Sequence, residues 1–108
     1  MKYHEYFDRT LLDAPCSMQG TKNAEPTTNK EIKKLAKRQQ WLLRSAVSAT
    51  KPGGIIIYST CTTTKEENED VIDWIIAKDH NVTVEEMRRI APDEIHEGFF
   101  IARLRKKS

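Results

Sequence analysis

Two stretches decide the fold: Phe7-Asp8-Arg9-Thr10-Leu11-Leu12-Asp13-Ala14-Pro15-Cys16-Ser17 and Gly54-Ile55-Ile56-Ile57-Tyr58-Ser59-Thr60-Cys61-Thr62. Each is a short apolar run that turns polar and then delivers a cysteine. The first reads as a buried strand, Phe7 to Ala14, stopped by Pro15, which has no N–H to give a ladder. The second, Gly54 to Tyr58, is apolar on both faces, the pattern of a strand in the middle of a largely parallel sheet.

The chain between and beyond them supplies helices. Cys16 to Thr28 is rich in Ser, Gly, Thr, Asn and Pro and reads as a loop. Thr28 and Glu31 then form a capping box, and Ile32, Leu35, Ala36, Leu42, Leu43 and Ala46 keep helical spacing until Lys51-Pro52-Gly53-Gly54 ends the segment. A second box, Thr64 to Glu67, opens a helix through about Lys78 with Val71, Ile72, Ile75 and Ile76 inward. Val82 to Met87 and Phe99 to Leu104 are the remaining strand candidates. The order β-α-β-α-β-β predicts an α/β fold, a mixed sheet of about four strands with two main helices packed on it.

Composition narrows the function classes. The 108 residues make one domain, 38% hydrophobic and 31% charged, with a mean hydropathy of −0.66. No apolar run approaches the roughly 20 residues of a membrane span. Met1 to Glu5 is polar and has no apolar signal core, so a cytoplasmic location is expected. Cys16 and Cys61 are too few for a disulfide framework or a zinc site and read as reduced thiols. His4, His80 and His96 share no metal-like spacing. Net charge is only +2, but Lys22, Lys30, Lys33, Lys34, Lys37, Arg38 and Arg44 crowd the first half, and Arg103, Arg105, Lys106 and Lys107 close the chain. That distribution suits either solvated faces or a nucleic-acid partner.

In such a sheet, ligands bind beyond the carboxyl ends of the strands. Both cysteines sit there, and if the two strands are neighbours their thiols share one cleft. A lone cysteine is most often a small buried hydrophobe; two at equivalent strand ends, in polar loops, point to chemistry. Tyr58 and Trp74 read as packing groups, while Trp41, beside a basic helix, suits packing or base stacking equally. Asn68 reads as a brace for the Cys61 loop. Glu66, Glu67, Glu69 and Asp70 most simply complement their own helix dipole.

Taken together, Asp13-Ala14-Pro15-Cys16-Ser17, Lys51-Pro52-Gly53-Gly54, Tyr58-Ser59-Thr60-Cys61, Glu66-Glu67-Asn68-Glu69 and the ending Gly98-Phe99-Phe100-Ile101-Ala102-Arg103-Leu104 resemble the Nol/Nop/Sun family of RNA 5-methylcytosine methyltransferases. The resemblance covers nearly the whole chain. It implies the carboxy-terminal half of a Rossmann-like class I methyltransferase fold, acting with S-adenosylmethionine on cytosine in tRNA or rRNA. It assigns Cys61 as the nucleophile that adds to cytosine carbon 6, Cys16 to product release, and Asp13 to a position near cofactor and base. Pro15, Ser17 and Thr60 would position the substrate. The chemistry needs a thiolate because carbon 5 is a poor nucleophile until addition at carbon 6 makes the ring an enamine. DNA cytosine methyltransferases use a Pro-Cys nucleophile, which by analogy would exchange the two roles; the Ser59-Thr60-Cys61 context favours Cys61.

Two departures from the family pattern stand out. Met18 replaces the first glycine of a Pro-Cys-Ser-Gly-x-Gly loop, which strains the backbone if that position needs positive φ. Upstream of Asp13 there is no glycine-rich turn, so the cofactor-binding half is absent from residues 1–108. The chain alone is therefore expected to be inactive, with Phe7 to Ala14 at a sheet edge that a second chain or a copy of itself would cover. A catalytically inactive RNA-binding or scaffolding remnant is the alternative. A thiol-redox module fits poorly, since Cys16 and Cys61 form no Cys-x-x-Cys.

Overall fold

The computed structural model describes residues 5–17, 28–91 and 98–108. Met18, Gly20, Lys22, His4 and His96 lie outside them. The elements are β1 (Phe7–Asp13), α1 (Asn29–Ala49), β2 (Thr50–Thr60), α2 (Glu69–Lys78), β3 (Val82–Ile90) and β4 (Phe99–Lys106). The four strands form one sheet in the order β1-β2-β4-β3. Only β1 and β2 run parallel; β4 is antiparallel to both β2 and β3. The sheet is therefore mixed, and the expectation that the second strand lies in a largely parallel sheet is corrected: β2 has one parallel and one antiparallel neighbour.

Side-chain alternation explains the layers. Ile56, Tyr58 and Thr60 pair with Leu104, Ala102 and Phe100, so all six share one face, and all six are buried. Leu43, Ala46 and Val47 of α1, with Val71, Ile72 and Ile75 of α2, complete that core. Tyr58 and Phe100 meet edge to face with centroids 6.3 Å apart. Trp74 packs at the margin of this core, in line with its reading as a packing group.

Helix α1 begins where the sequence places it. Thr28 is the N-cap, and its hydroxyl accepts from the Glu31 N–H at 3.1 Å. Its far end recruits help from β4. The last turn of α1 carries no basic residue, and the buried Lys106 ammonium donates to Val47 O at 3.1 Å and Thr50 O at 2.9 Å. A cation there offsets the negative pole of the helix and pairs its orphan carbonyls.

The terminal basic run, which suits either solvated faces or a nucleic-acid partner by sequence, is in part engaged within the fold. Arg105 pairs with Glu85 and donates to Gly53 O at 2.8 Å, while Arg103 reaches the same Glu85. Their neighbour Glu85 is held below the usual carboxylate range chiefly by the Arg105 hydrogen bond.

Two boundaries also move. Helix α1 does end just before Lys51-Pro52-Gly53-Gly54, at Ala49, but β2 starts at Thr50 rather than Gly54. These four residues therefore lie inside the strand, where the register with β1 jumps from Phe7↔Thr50 to Arg9↔Ile55. Pro52 is accommodated in that irregularity, where a ladder donor is not required. Helix α2 starts at Glu69, not at Thr64, and its N-cap Asn68 makes no side-chain capping bond. The intervening residues 65–68 are hydrogen-bonded turns, with Asn68 N and Asp70 N both donating to Lys65 O.

The second sheet face is open among the described residues. On it Ile57, Ile90, Phe99 and Ile101, with Glu86, Arg88 and Arg103, line a shallow groove of about 470 Å³. Strand β1 sits at the sheet edge, as expected for Phe7 to Ala14, so it is not buried on both faces as its apolar composition suggests, and Leu11 is 72% exposed. Leu12, on the helix side, packs against the core.

Gly54 is a strict requirement of the β2 irregularity. A Cβ there would lie 2.5 Å from Thr50 Cγ2 and 2.6 Å from the backbone oxygen of Asp8. Gly54→Ala should destabilise the chain by about 1–3 kcal/mol, the usual range for overpacking. Chemical denaturation checks this; a variant as stable as the parent would mean β1 and β2 are not this close.

Candidate active site

Because β1 and β2 are parallel neighbours with Asp13 opposite Ser59, their carboxyl ends emerge side by side. Ala14 N still donates to Ser59 O at 2.8 Å, so the two chains separate only after Ala14. Cys16 follows on one and Cys61 on the other, Cys16 half-buried and Cys61 exposed, neither in a disulfide. The shared location expected from the sequence is thus present. Asp13 is exposed at the mouth and accepts a hydrogen bond from the Ser59 hydroxyl at 3.1 Å.

What joins the two loops is Glu67, a residue first read as an ordinary helix-dipole acid. Its side chain points inward and is fully buried. Oε1 accepts from Ser17 N at 2.7 Å and from Gln39 Nε2 at 3.1 Å. Oε2 accepts from the Ser17 hydroxyl at 2.6 Å and from the Thr64 hydroxyl. One carboxylate therefore binds the residue after Cys16, a residue of the Cys61 loop and the middle of α1. Thr64 and Glu67 do interact, but side chain to side chain rather than as a capping box.

Neighbouring bonds reinforce the link. The same Gln39 Nε2 donates to Pro15 O at 2.7 Å, and the Ser17 and Thr62 hydroxyls lie 3.1 Å apart. Tyr58, under both loops, donates its hydroxyl to Glu67 O at 2.7 Å. Asn68 is also fully buried: its Nδ2 donates to Thr62 O at 2.9 Å and its Oδ1 accepts from the Thr60 hydroxyl. The bracing role read for Asn68 is what the geometry provides. Outside, Arg89 of β3 hydrogen-bonds Glu69, which keeps the Glu69 carboxyl below its ordinary range, and also donates to Thr63 O at 2.6 Å.

Among the residues singled out from the sequence, Cys16, Cys61, Asp13, Pro15, Ser17 and Thr60 all gather at this end of the sheet. Thr60 is 1% exposed and bonded to Asn68, so it shapes the Cys61 loop from beneath and offers nothing to a substrate directly. Ser17 is likewise engaged with Glu67 and Thr62. Because α2 starts only at Glu69, Cys61 does not sit at a helix amino terminus. Gln39, Glu67 and Arg89 were missed. The one available signal was Gln39, a polar residue in the apolar stripe Ile32, Ala36, Leu43, Ala46 and Val47.

The fold and the paired cysteine loops define part of a Rossmann-like methyltransferase domain. The family model for 16S rRNA methyltransferase RsmB/F matches residues 1–105, and the chain belongs to that family. A curated relative, ribosomal RNA small subunit methyltransferase F of Pectobacterium carotovorum subsp. carotovorum (strain PC1), is 39% identical over 94% of this chain and 26% of its own length. NSun6 from Pyrococcus horikoshii, solved with SFG, superposes with a TM-score of 0.82 at 34% identity, over 91% of this chain and 29% of that one. A methyltransferase homologue from the same organism gives a TM-score of 0.82 at 35% identity, over 94% of this chain and 39% of that one. The chain therefore spans about a quarter of the length of the curated relatives it matches.

Tyr58 gives a pH signature. Burial, followed by the nearby Glu67 and Cys16, pushes its phenol far above the ordinary tyrosine value of 10.0. The native state then keeps a proton that the unfolded chain releases, so stability is full below about pH 10 and falls as pH rises beyond it. Tyr58→Phe should cost about 1–3 kcal/mol at neutral pH by leaving Glu67 O unpaired. It should also flatten the loss of stability between roughly pH 10 and 11. Equal alkaline slopes for parent and variant would contradict a buried, neutral Tyr58.

Proposed function

We propose that this chain supplies the two active-site cysteines of an S-adenosylmethionine-dependent RNA cytosine-C5 methyltransferase. The observation that carries the reading is the pairing of Cys16 and Cys61 on adjacent parallel strand ends, in loops bound to one buried carboxylate. The names of the relatives favour ribosomal RNA over tRNA as the substrate.

The roles are those the family resemblance assigns, and the exposure of each residue is compatible with them. Cys61 is exposed, so its thiolate can add to cytosine carbon 6 and form a sulfur–carbon bond. The ring becomes an enamine whose carbon 5 is nucleophilic. After carbon 5 has gained its methyl group, its proton must leave to a base as the sulfur–carbon bond breaks and restores the aromatic ring. Cys16 serves that elimination from the adjoining loop. Asp13, exposed at the mouth, is placed to accept from the exocyclic amine of the base. Pro15 shapes the turn, with its carbonyl fixed by Gln39.

S-adenosylmethionine is the methyl donor this reading requires, and the described residues do not by themselves enclose it. Asp13 is exposed at the mouth, and the sheet-face groove lined by Ile57 and Phe99 lies elsewhere. The open apolar sheet face and the outer edge of β1, with Leu11 outward, are the surfaces on which further protein would seat, from a second chain or a copy of this one. The exposed face of α1, with Lys33, Lys34, Lys37, Arg38 and Trp41, is the RNA-facing surface in this account. Arg44 lies 5.7 Å over the Trp41 ring.

The test uses the chain together with the cofactor-binding part of the enzyme. Cys61→Ala should abolish methyl transfer, whereas activity within about threefold of the parent would refute the nucleophile assignment. Cys16→Ala should leave protein covalently joined to RNA on a denaturing gel, and adding Cys61→Ala should erase that band. A trapped band from Cys61→Ala alone would reverse the two roles.

A further inference from the structure

A buried carboxylate is costly unless its lone pairs are used, and Glu67 is fully buried. The donors described around it are neutral: Ser17 N–H, the Ser17 and Thr64 hydroxyls, and the Gln39 amide. Two of these four bonds come from the residue directly after Cys16. A third comes from Gln39, whose same amide nitrogen fixes Pro15 O, directly before Cys16. The Cys16 backbone is therefore clamped on both sides through one carboxylate. The fourth bond, from Thr64, belongs to the loop that carries Cys61. A helix cap or a solvated acid would need none of this arrangement.

We propose that Glu67 is a positioning residue for the release half of the reaction: it sets Cys16 relative to the cytosine held on Cys61. Glu67 need not touch substrate. It acts through Ser17, Gln39 and Thr64, so that the cysteine of one loop is indexed to the loop of the other. Geometry of this kind matters most for Cys16. Cys61 rises directly from β2 and is also braced by Asn68 and Arg89, whereas Pro15, Cys16 and Ser17 follow the end of β1. Charge matters as well as shape. A glutamine at position 67 would put an N–H₂ among donors and could accept only half of these bonds.

This inference rests on the functional reading above, and its test separates the two. In the complete enzyme, the Cys61-dependent covalent RNA adduct is formed, and its decay is timed after a single turnover. Glu67→Gln should lengthen the adduct's lifetime by about a hundredfold, the scale on which a misplacement of about 1 Å acts. The lengthening should exceed any slowing of adduct formation. Gln39→Leu, which frees Pro15 O and removes one donor from Glu67, should give the same effect in smaller measure. It is the variant to read if Glu67→Gln fails to fold, as judged by its thermal transition. Folded variants whose adduct forms and decays with parental ratios would make Glu67 merely a buried structural acid and overturn the proposal. A parent enzyme that forms no Cys61-dependent adduct would instead overturn the functional reading.

Discussion

The Glu67 carboxylate is the interaction on which the site's geometry depends. Two strand ends that run parallel bring Cys16 and Cys61 into the same neighbourhood, but neighbourhood alone does not set two loops against each other. Glu67 does so with bonds to Ser17 on one side and Thr64 on the other, while Gln39 ties the carboxylate to α1. Tyr58 then supports the Glu67 backbone from inside the core. Each of these bonds has a charged acceptor or a buried partner, the circumstances in which hydrogen bonds contribute most and are most costly to lose.

The rest of the fold serves that arrangement. The buried face of β2, carrying Ile56, Tyr58 and Thr60, aligns core packing with the site: the same strand that fills the core delivers the Cys61 loop at its end. Helix α1 crosses this face with Gln39 facing the Cys16 loop, and its carboxyl end is closed by Lys106 of β4. Arg89 of β3 then fastens the outer side of the Cys61 loop to α2. The opposite sheet face contributes Asp13 and Ser59 at the mouth of the site. It presents an apolar groove and, at one edge, strand β1.

Much of this was legible in the sequence, and the reasons are physical. Apolar runs beside a proline and a glycine pair mark β1 and β2, and the Ile32 to Ala46 spacing marks α1. Both cysteines fall after strand-like runs, so their common location follows from topology once the strands are neighbours. What could not be read were side chains whose direction depends on tertiary partners. Glu67 sits in an acidic run with Glu66 and Glu69, and nothing local distinguishes the acid that turns inward. Arg105 and Lys106 resemble the solvated Lys107, yet one grips Glu85 and Gly53 O while the other caps a helix. Lys51-Pro52-Gly53-Gly54 has turn chemistry, but the chain spends it on a register jump within a strand. Leu11 and Leu12 look alike in sequence, and alternation sends one to the open face and the other to the core.

The central claim, that both loops are held as one unit by Glu67, is tested most directly by native-state amide hydrogen exchange at Ser17. Its N–H points at Glu67 Oε1 across 2.7 Å, in a stretch outside any strand or helix. Loop amides without such a partner exchange at rates near those of an unfolded chain. The account predicts that the Ser17 amide is protected, that its opening free energy matches that of Asn68 N–H at the base of the Cys61 loop, and that Glu67→Gln removes the Ser17 protection. A Ser17 amide exchanging at the unprotected rate in the parent chain would show that the carboxylate does not hold the Cys16 loop, and the account would fail.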